Sequence, residues 1–466
     1  MIHDFAQELL TRTGAEPYRT KVVEHLNLPD RAAREQILAA AHYSPAYLNS
    51  ADVFIDLVTD SGTSAMSDEQ WGALMRGDEA YIRSKSFFAF ERAVQHVLGF
   101  KHVVPTHQGR AAENLIMEVM VQPGQMVLSN THFDTTKAHV EHRKGQAIDL
   151  VGDWMWDFAT PQPFKGNFDL EKLTVALDRY HEQVPLIIIT ITNNLACSSP
   201  VSMENIREVR RLADRHGIPV YFDACRFAEN AFFIKAREAG YADKSVAEIV
   251  LEMMSYGHGC WVSAKKDAIV NIGGFIATND ENLAGKCQGK LVLYEGFPTY
   301  GGLARRDLEA IAVGLQEGIQ ENYLSHRTGL VEHLGNAMEQ AGVIVSQPIG
   351  GSGVFVDVNA LYPHLSTDKF PGIALFCDLY LEGGVRAGAT PLNISTVSPK
   401  SGDIVERVFQ FARFAVPRRV YSRSHMDFVA GIMGRVVANA GQNRGYRMTN
   451  HPEILAHFFA KFAPLS

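Results

Sequence analysis

Two adjacent lysines, Lys265 and Lys266, lie in the stretch Trp261-Val262-Ser263-Ala264-Lys265-Lys266-Asp267, ahead of the apolar run Ile269-Val270 and Asn271 that leads to Gly273-Gly274. A lysine that attacks a carbonyl must shed its proton, and partial burial or a cationic neighbour lowers its pKa enough for that. Lys265 is such a neighbour for Lys266, and Ser263 offers a hydroxyl to a phosphate. A Lys-Lys pair alone is most often a solvated face, so the chemistry depends on what stands with it. Gln108-Gly109-Arg110 opens a helical pattern, where backbone N–H groups and the helix dipole suit an anion. Phe133 and Asn194 each follow a strand pattern, and Asp223 and Arg226 follow a third. Taken singly these are a core aromatic, a turn residue and a local ion pair. Taken in order they supply an amine, a stacking partner, an anion for a ring nitrogen and phosphate donors. That is the set pyridoxal phosphate requires, with Asp223 keeping the ring nitrogen protonated so that the ring withdraws electrons from a substrate carbanion.

These groups need a scaffold that brings them to one edge. From Lys101 onward, strand patterns at 102–105, 125–129, 147–151, 186–192 and 218–222 alternate with amphipathic helices. Ser202 caps one helix, which shows Ile206, Val209, Leu212 and Ala213 on one face and closes at Gly217. Such spacing predicts a largely parallel α/β sheet, whose ligands bind outside the carboxyl ends of its strands. The first fifty residues read as mostly helical, broken at Pro17 and near Pro45, and 53–58 as an extended segment entering Thr59-Asp60-Ser61-Gly62-Thr63. After Arg306 a long helical pattern leads to a second α/β unit, with strands at 343–345 and 354–358 and a helix over 373–381. The expected plan is an N-terminal arm that forms part of the small domain (1–58), a large cofactor-binding domain (59–315) and a small C-terminal domain (316–466).

Composition bounds the partners. The 466 residues are 46% apolar and 21% charged, with a net charge of −8 and no long basic run, which argues against nucleic acid. Five scattered cysteines (Cys197, Cys225, Cys260, Cys287, Cys377) form no CxxC pair and read as free thiols of a reducing compartment. The first residues do not begin a signal peptide, and the densest apolar run, 186–191, is too short to span a bilayer. The expectation is a cytoplasmic protein with a small-molecule partner and no membrane or nucleic-acid partner.

The motifs Thr59-Asp60-Ser61-Gly62-Thr63, Asp78-Glu79-Ala80-Tyr81, Pro105-Thr106-His107-Gln108-Gly109-Arg110, Ser263-Ala264-Lys265-Lys266-Asp267 and Pro298-Thr299-Tyr300-Gly301-Gly302 occur in one order. In them the chain resembles the tryptophan indole-lyase and tyrosine phenol-lyase group of β-eliminating lyases, from about Glu16 to the C-terminus. The resemblance implies fold type I of pyridoxal phosphate enzymes, a large mostly parallel sheet domain with a smaller α/β domain, assembled as a homotetramer. It makes Lys266 the lysine that holds the cofactor aldehyde, with Asp223 on the ring nitrogen, Arg226 near the ring hydroxyl and Phe133 stacked. Gln108, Gly109, Arg110, Ser263 and Lys265 would complete the cofactor site. Arg413, in Ala412-Arg413-Phe414, matches the arginine that grips the substrate carboxylate, with Thr59, Ser61 and Asn194 beside it. Tyr81 matches the acid that protonates the leaving group, and Tyr300 would reach a neighbouring subunit's site. Gly62, Glu79 and Asn271 match a site for potassium that includes backbone oxygens.

The identity of the leaving group is a question of polarity. Indole presents an N–H donor and needs an acceptor, whereas a departing phenol needs donors. Asp134 and His457 match the acid and histidine of the indole enzymes, and Thr390 stands where the phenol enzymes carry an arginine. L-Tryptophan is therefore the expected substrate, with tyrosine phenol-lyase or a lyase for another β-substituted amino acid as the alternative. A cofactor-binding protein without turnover is a further alternative, opposed by Tyr81, Lys266 and Arg413 occurring together. Ala387-Gly388-Ala389-Thr390-Pro391 is unlike either branch, Cys197-Ser198-Ser199 replaces a glycine-rich run, and Phe414-Ala415-Val416 and Trp261 depart from the usual pattern.

Overall fold

Short β-branched runs, buried on both faces, build the main sheet. In this computed structural model, which describes residues 15–450, 452 and 456–465, the strands of the two larger sheets are, in chain order, β1 (Ile55–Leu57), β2 (His102–Thr106), β3 (Met126–Ser129), β4 (Gln146–Asp149), β5 (Ile187–Thr190), β6 (Val220–Asp223), β7 (Gly259–Ser263), β8 (Gly274–Thr278), β9 (Gly353–Val356), β10 (Val385–Val397) and β11 (Ile404–Ala415). Seven of them form one sheet in the order β2-β8-β7-β6-β5-β3-β4. The pairs from β7 through to β4 are parallel, and β8 alone runs against its two neighbours. All residues of β3, β5, β6 and β7 are buried, as expected of strands covered by helices on both faces. Ser202 caps the helix Met203–Arg215 through the N–H of Asn205, and Gly217 turns the chain at φ +65°.

A second sheet, in the order β1-β10-β11-β9, packs in a core of its own. Its centre is the long antiparallel hairpin of β10 and β11, which the sequence reading did not anticipate. Its register pairs Gly388 with Arg413. The expected strand at 343–345 is reduced to a single bridge between Val345 and Val356. The expected helical character of the first fifty residues is confined, among the described ones, to Arg31–Ala40 and two short 3-10 turns; residues 1–14 lie outside the described part. Asp30 accepts the Ala33 N–H to start that helix, whereas Pro17, Pro29 and the exposed run between them give no buried apolar stripe to support an earlier one. Among the described residues no helix is long and apolar enough to cross a membrane, and all five cysteines are unpaired and buried.

Candidate active site

The carboxyl ends of β3, β5, β6 and β7 converge, and the predicted residues sit on the turns that leave them. β7 ends at Ser263 and passes at once to Lys265 and Lys266. The Lys266 amine stands 5.9 Å from the centroid of the Phe133 ring, a separation that admits a planar ring stacked on Phe133 with its substituent at the amine. Phe133 is fixed as the residue preceding the helix Asp134–His142. Asp223, buried, closes β6, and its Oδ1 accepts the Cys225 N–H at 3.4 Å. Lys265 Nζ donates to Gln108 Oε1 at 3.1 Å. Burial, together with the charges of Lys266 and the exposed Arg110, pulls the Lys265 amine below its ordinary range.

A cradle for an anion lies next to them. Gly109 opens the helix Gly109–Met120, and a Cβ there would lie 2.6 Å from Ser263 Cβ and 3.0 Å from its Cα. Only glycine lets this helix N-terminus close on the Ser263 backbone. The Ser263 hydroxyl is buried and has no partner among the described residues, while its N–H is taken by Cys225 Sγ at 3.1 Å. An orphaned hydroxyl, a helix N-terminus and Lys265 at one point fit a phosphate. With Phe133, Asp223 and Lys266 beyond it, the residues present fit pyridoxal phosphate.

Arg413 comes from β11. Its Nη1 donates to Asn194 Oδ1 at 2.9 Å and its Nη2 to the Val58 carbonyl at 3.1 Å. Asn194 Nδ2 is buried and has no partner among the described residues. Burial lowers the Arg413 pKa, with Asp60 and Asp134 opposing. A desolvated guanidinium beside an unused amide suits a carboxylate ligand. Ser61 N–H donates to Thr59 Oγ1 at 3.1 Å, and Gly62 N–H to the Lys265 carbonyl at 2.9 Å, which ties this loop to the lysine segment.

Other expected residues stand elsewhere. Arg226 forks onto Asp60 through Nη2 and Nε, at 2.7 and 3.0 Å. Asn271 Nδ2 donates to the Gly62 carbonyl at 3.0 Å, which brings these two together. Glu79 is apart from them, held by Arg306 Nε at 2.9 Å. Tyr81 is exposed and packs on Tyr300 (5.5 Å between centroids), with the Arg305 guanidinium 4.0 Å over the Tyr300 ring. Asp134 begins its helix. His457 falls in the short helix Ala456–Phe459, and its side chain, like that of Thr390, lies outside the described part.

The sequence reading missed two groups. Glu113, one turn into the Gly109–Met120 helix, is buried, and its Oε2 accepts from Thr135 Oγ1 at 2.6 Å. Burial, with Asp223 nearby, pushes its carboxyl up to about 7. A lone acid on an otherwise apolar helix face was the available signal. The other is a buried cluster around Arg418, for which sequence gives no signal because its members are scattered along the chain.

A family model described as beta-eliminating lyase matches residues 56–431. Tyrosine phenol-lyase of Symbiobacterium thermophilum is 46% identical over 98% of this chain and 100% of its own length. Tryptophanase of Salinibacter ruber is 47% identical over 97% of this chain and 96% of its own, and tyrosine phenol-lyase of Fusobacterium nucleatum is 44% identical over 96% and 98%. A solved chain described as belonging to a SepCysS–SepCysE N-terminal domain complex superposes with a TM-score of 0.55 at 13% identity, over 83% of this chain and 95% of that one, a likeness of fold.

Proposed function

The chain belongs to the β-eliminating lyase family, and from that premise we propose that it eliminates the aromatic group of an aromatic L-amino acid, L-tryptophan by preference, to give indole, pyruvate and ammonia. Membership makes it a pyridoxal phosphate-dependent carbon–carbon lyase of fold type I. The observation that carries the amino-acid reading is the Arg413–Asn194 pair, whose Asn194 amide is left unused among the described residues.

When bound, the cofactor supplies an electron sink for the charge left at Cα. The protein's own groups do the rest. Lys266 would hold the cofactor aldehyde, and its amine, when free, would take the Cα proton. Asp223 would keep the ring nitrogen protonated. Arg413, with Asn194 Nδ2, would grip the substrate carboxylate and so orient the amino acid. An acid then protonates the aromatic carbon bonded to Cβ, the aryl group departs, and water converts the three-carbon enamine left behind to pyruvate and ammonia. We assign that proton to Tyr81. Tyr81 and Tyr300 are packed together on the exterior with Arg305, so both would act in a neighbouring copy's cleft, in keeping with a homotetramer. Glu79, on the same segment as Tyr81, would complete a potassium site with Gly62 and Asn271 in the same way. Asp134 offers an acceptor for the indole N–H. Unpaired cysteines favour the cytoplasm.

Release of phenol from L-tyrosine is the second reading, favoured by the tyrosine phenol-lyase relatives. The two are separated by offering L-tryptophan and L-tyrosine individually to the purified protein with cofactor and potassium. Indole supports the reading given; phenol with no indole overturns the substrate and keeps the chemistry.

A further inference from the structure

Behind the cleft lies a buried ion cluster of three arginines and three carboxylates. Arg418 is fully buried at its centre. Its Nη1 reaches Asp60 Oδ2 at 2.9 Å and the Asp60 carbonyl at 3.1 Å; its Nη2 reaches Glu229 Oε1 at 2.7 Å and Asp267 Oδ1 at 2.9 Å. Arg226 grips the far side of Asp60. Arg327 Nε stands 3.2 Å from Glu229 Oε1, and its remaining nitrogens donate to the carbonyls of Val416 and Ser352. Asp267 turns its second oxygen to the N–H groups of Ala228 and Glu229, at 2.8 and 3.2 Å, and so caps the helix Phe227–Arg237 that Arg226 precedes.

This cluster links three segments of the site. Asp267 directly follows Lys266, Asp60 directly precedes Ser61, and Arg226 follows the strand that ends at Asp223. Stability alone is a poor reason for such an arrangement, because desolvating buried charges can cost as much as pairing them returns. Satisfaction is also incomplete: Arg418 Nε and Glu229 Oε2 have no partner among the described residues. A flat guanidinium that bridges three carboxylates fixes their mutual distances, which an ammonium cannot do.

We infer that Arg418 is a positioning residue for the elimination: its guanidinium holds Asp267, and with it the Lys266 segment, in register with Asp60 and Arg226. The inference rests on the reading of Lys266 as the lysine that holds the cofactor. Arg418 touches neither substrate nor cofactor and acts through Asp267 and Asp60.

The test is Arg418→Lys in the full-length holoenzyme, which keeps the charge and removes the fork. Three readouts apply: thermal unfolding, affinity for added pyridoxal phosphate, and the pH midpoint of the visible absorbance of the lysine-bound cofactor. A folded variant should bind the cofactor about tenfold more weakly and shift that midpoint by about half a pH unit or more. Its kcat should fall about 10- to 100-fold, beyond any change in KM, as expected of a misplaced group. Unchanged affinity and midpoint, with only a lower unfolding temperature, would make Arg418 merely structural and overturn the inference. If Arg418→Lys does not fold, the double variant Arg418→Met/Asp267→Asn, which removes one charge of each sign, is judged on the same readouts; failure of both to fold also overturns it. Wild-type protein that binds the cofactor yet forms no pyruvate would refute the proposed function, while the absorbance midpoint would still decide the role of Arg418.

Discussion

Arg413 and Asn194 meet at 2.9 Å although 219 positions separate them in the chain. One stands on β11 of the small sheet, the other on the turn leaving β5 of the large one. The pair thus ties the small sheet to the large one, and the Asn194 Nδ2, unpartnered among the described residues, shows that the meeting point has hydrogen-bonding capacity to spare. Arg413→Lys should therefore lower kcat/KM for the amino acid about 100-fold, about 3 kcal/mol. Titration of the cofactor into the variant should match wild type, since Arg413 is not part of the phosphate cradle. A comparable loss of cofactor affinity would place Arg413 in the wrong role.

Gly109 is the tightest point of that cradle. Gly109→Ala puts a methyl group 2.6 Å from Ser263 Cβ, so helix or strand must give way. Cofactor affinity should drop at least about tenfold, measured by absorbance titration. A variant that binds as tightly as wild type would remove the phosphate from this helix terminus.

Glu113 gives a pH signature. Its carboxyl is raised by burial and by Asp223 to about 7, so between its unfolded value and about 7 the folded state holds a proton that the unfolded state has released. Its stabilising contribution is complete at low pH and disappears as pH rises through about 7. Glu113→Gln should flatten the fall in melting temperature over that window. Parallel wild-type and variant curves would show that Glu113 ionises normally.

Asp134 should matter in proportion to what the leaving group asks of it. Asp134→Ala should slow indole release more than release of a thiolate from an S-substituted cysteine, which needs neither an acceptor nor a proton on carbon. Equal losses would mean that Asp134 does not contact the aryl group.

Much of the site was legible because its parts are local. Lys265-Lys266, Gln108-Gly109 and Asp223 each sit at the end of an apolar strand pattern, and the alternation of strand and helix places such ends on one edge. Ser202 likewise announced its helix through a local hydrogen bond. The hairpin of β10 and β11 was not legible, since Gly388 and Pro391 interrupt the pattern that would reveal the strand. The expected strand at 343–345 failed for the opposite reason: three β-branched residues look extended, but their pairing stops at one bridge, Val345 to Val356, beside the Asp357 N–H bond to the Ile344 carbonyl. The pairing of Arg226 with Asp60 was not legible, because 166 positions separate the two. The Arg418 cluster depends wholly on such distant pairings, and no spacing in the sequence encodes them.

The most direct test of the account is pyruvate formation by the purified protein with cofactor and potassium, offered L-tryptophan or L-tyrosine, alongside Lys266→Ala. The account predicts pyruvate in step with a free aromatic product from at least one substrate, and none from Lys266→Ala, which should also lose the visible absorbance of lysine-bound cofactor. Pyruvate at the wild-type rate from Lys266→Ala, or none from the wild type with either substrate, would contradict it.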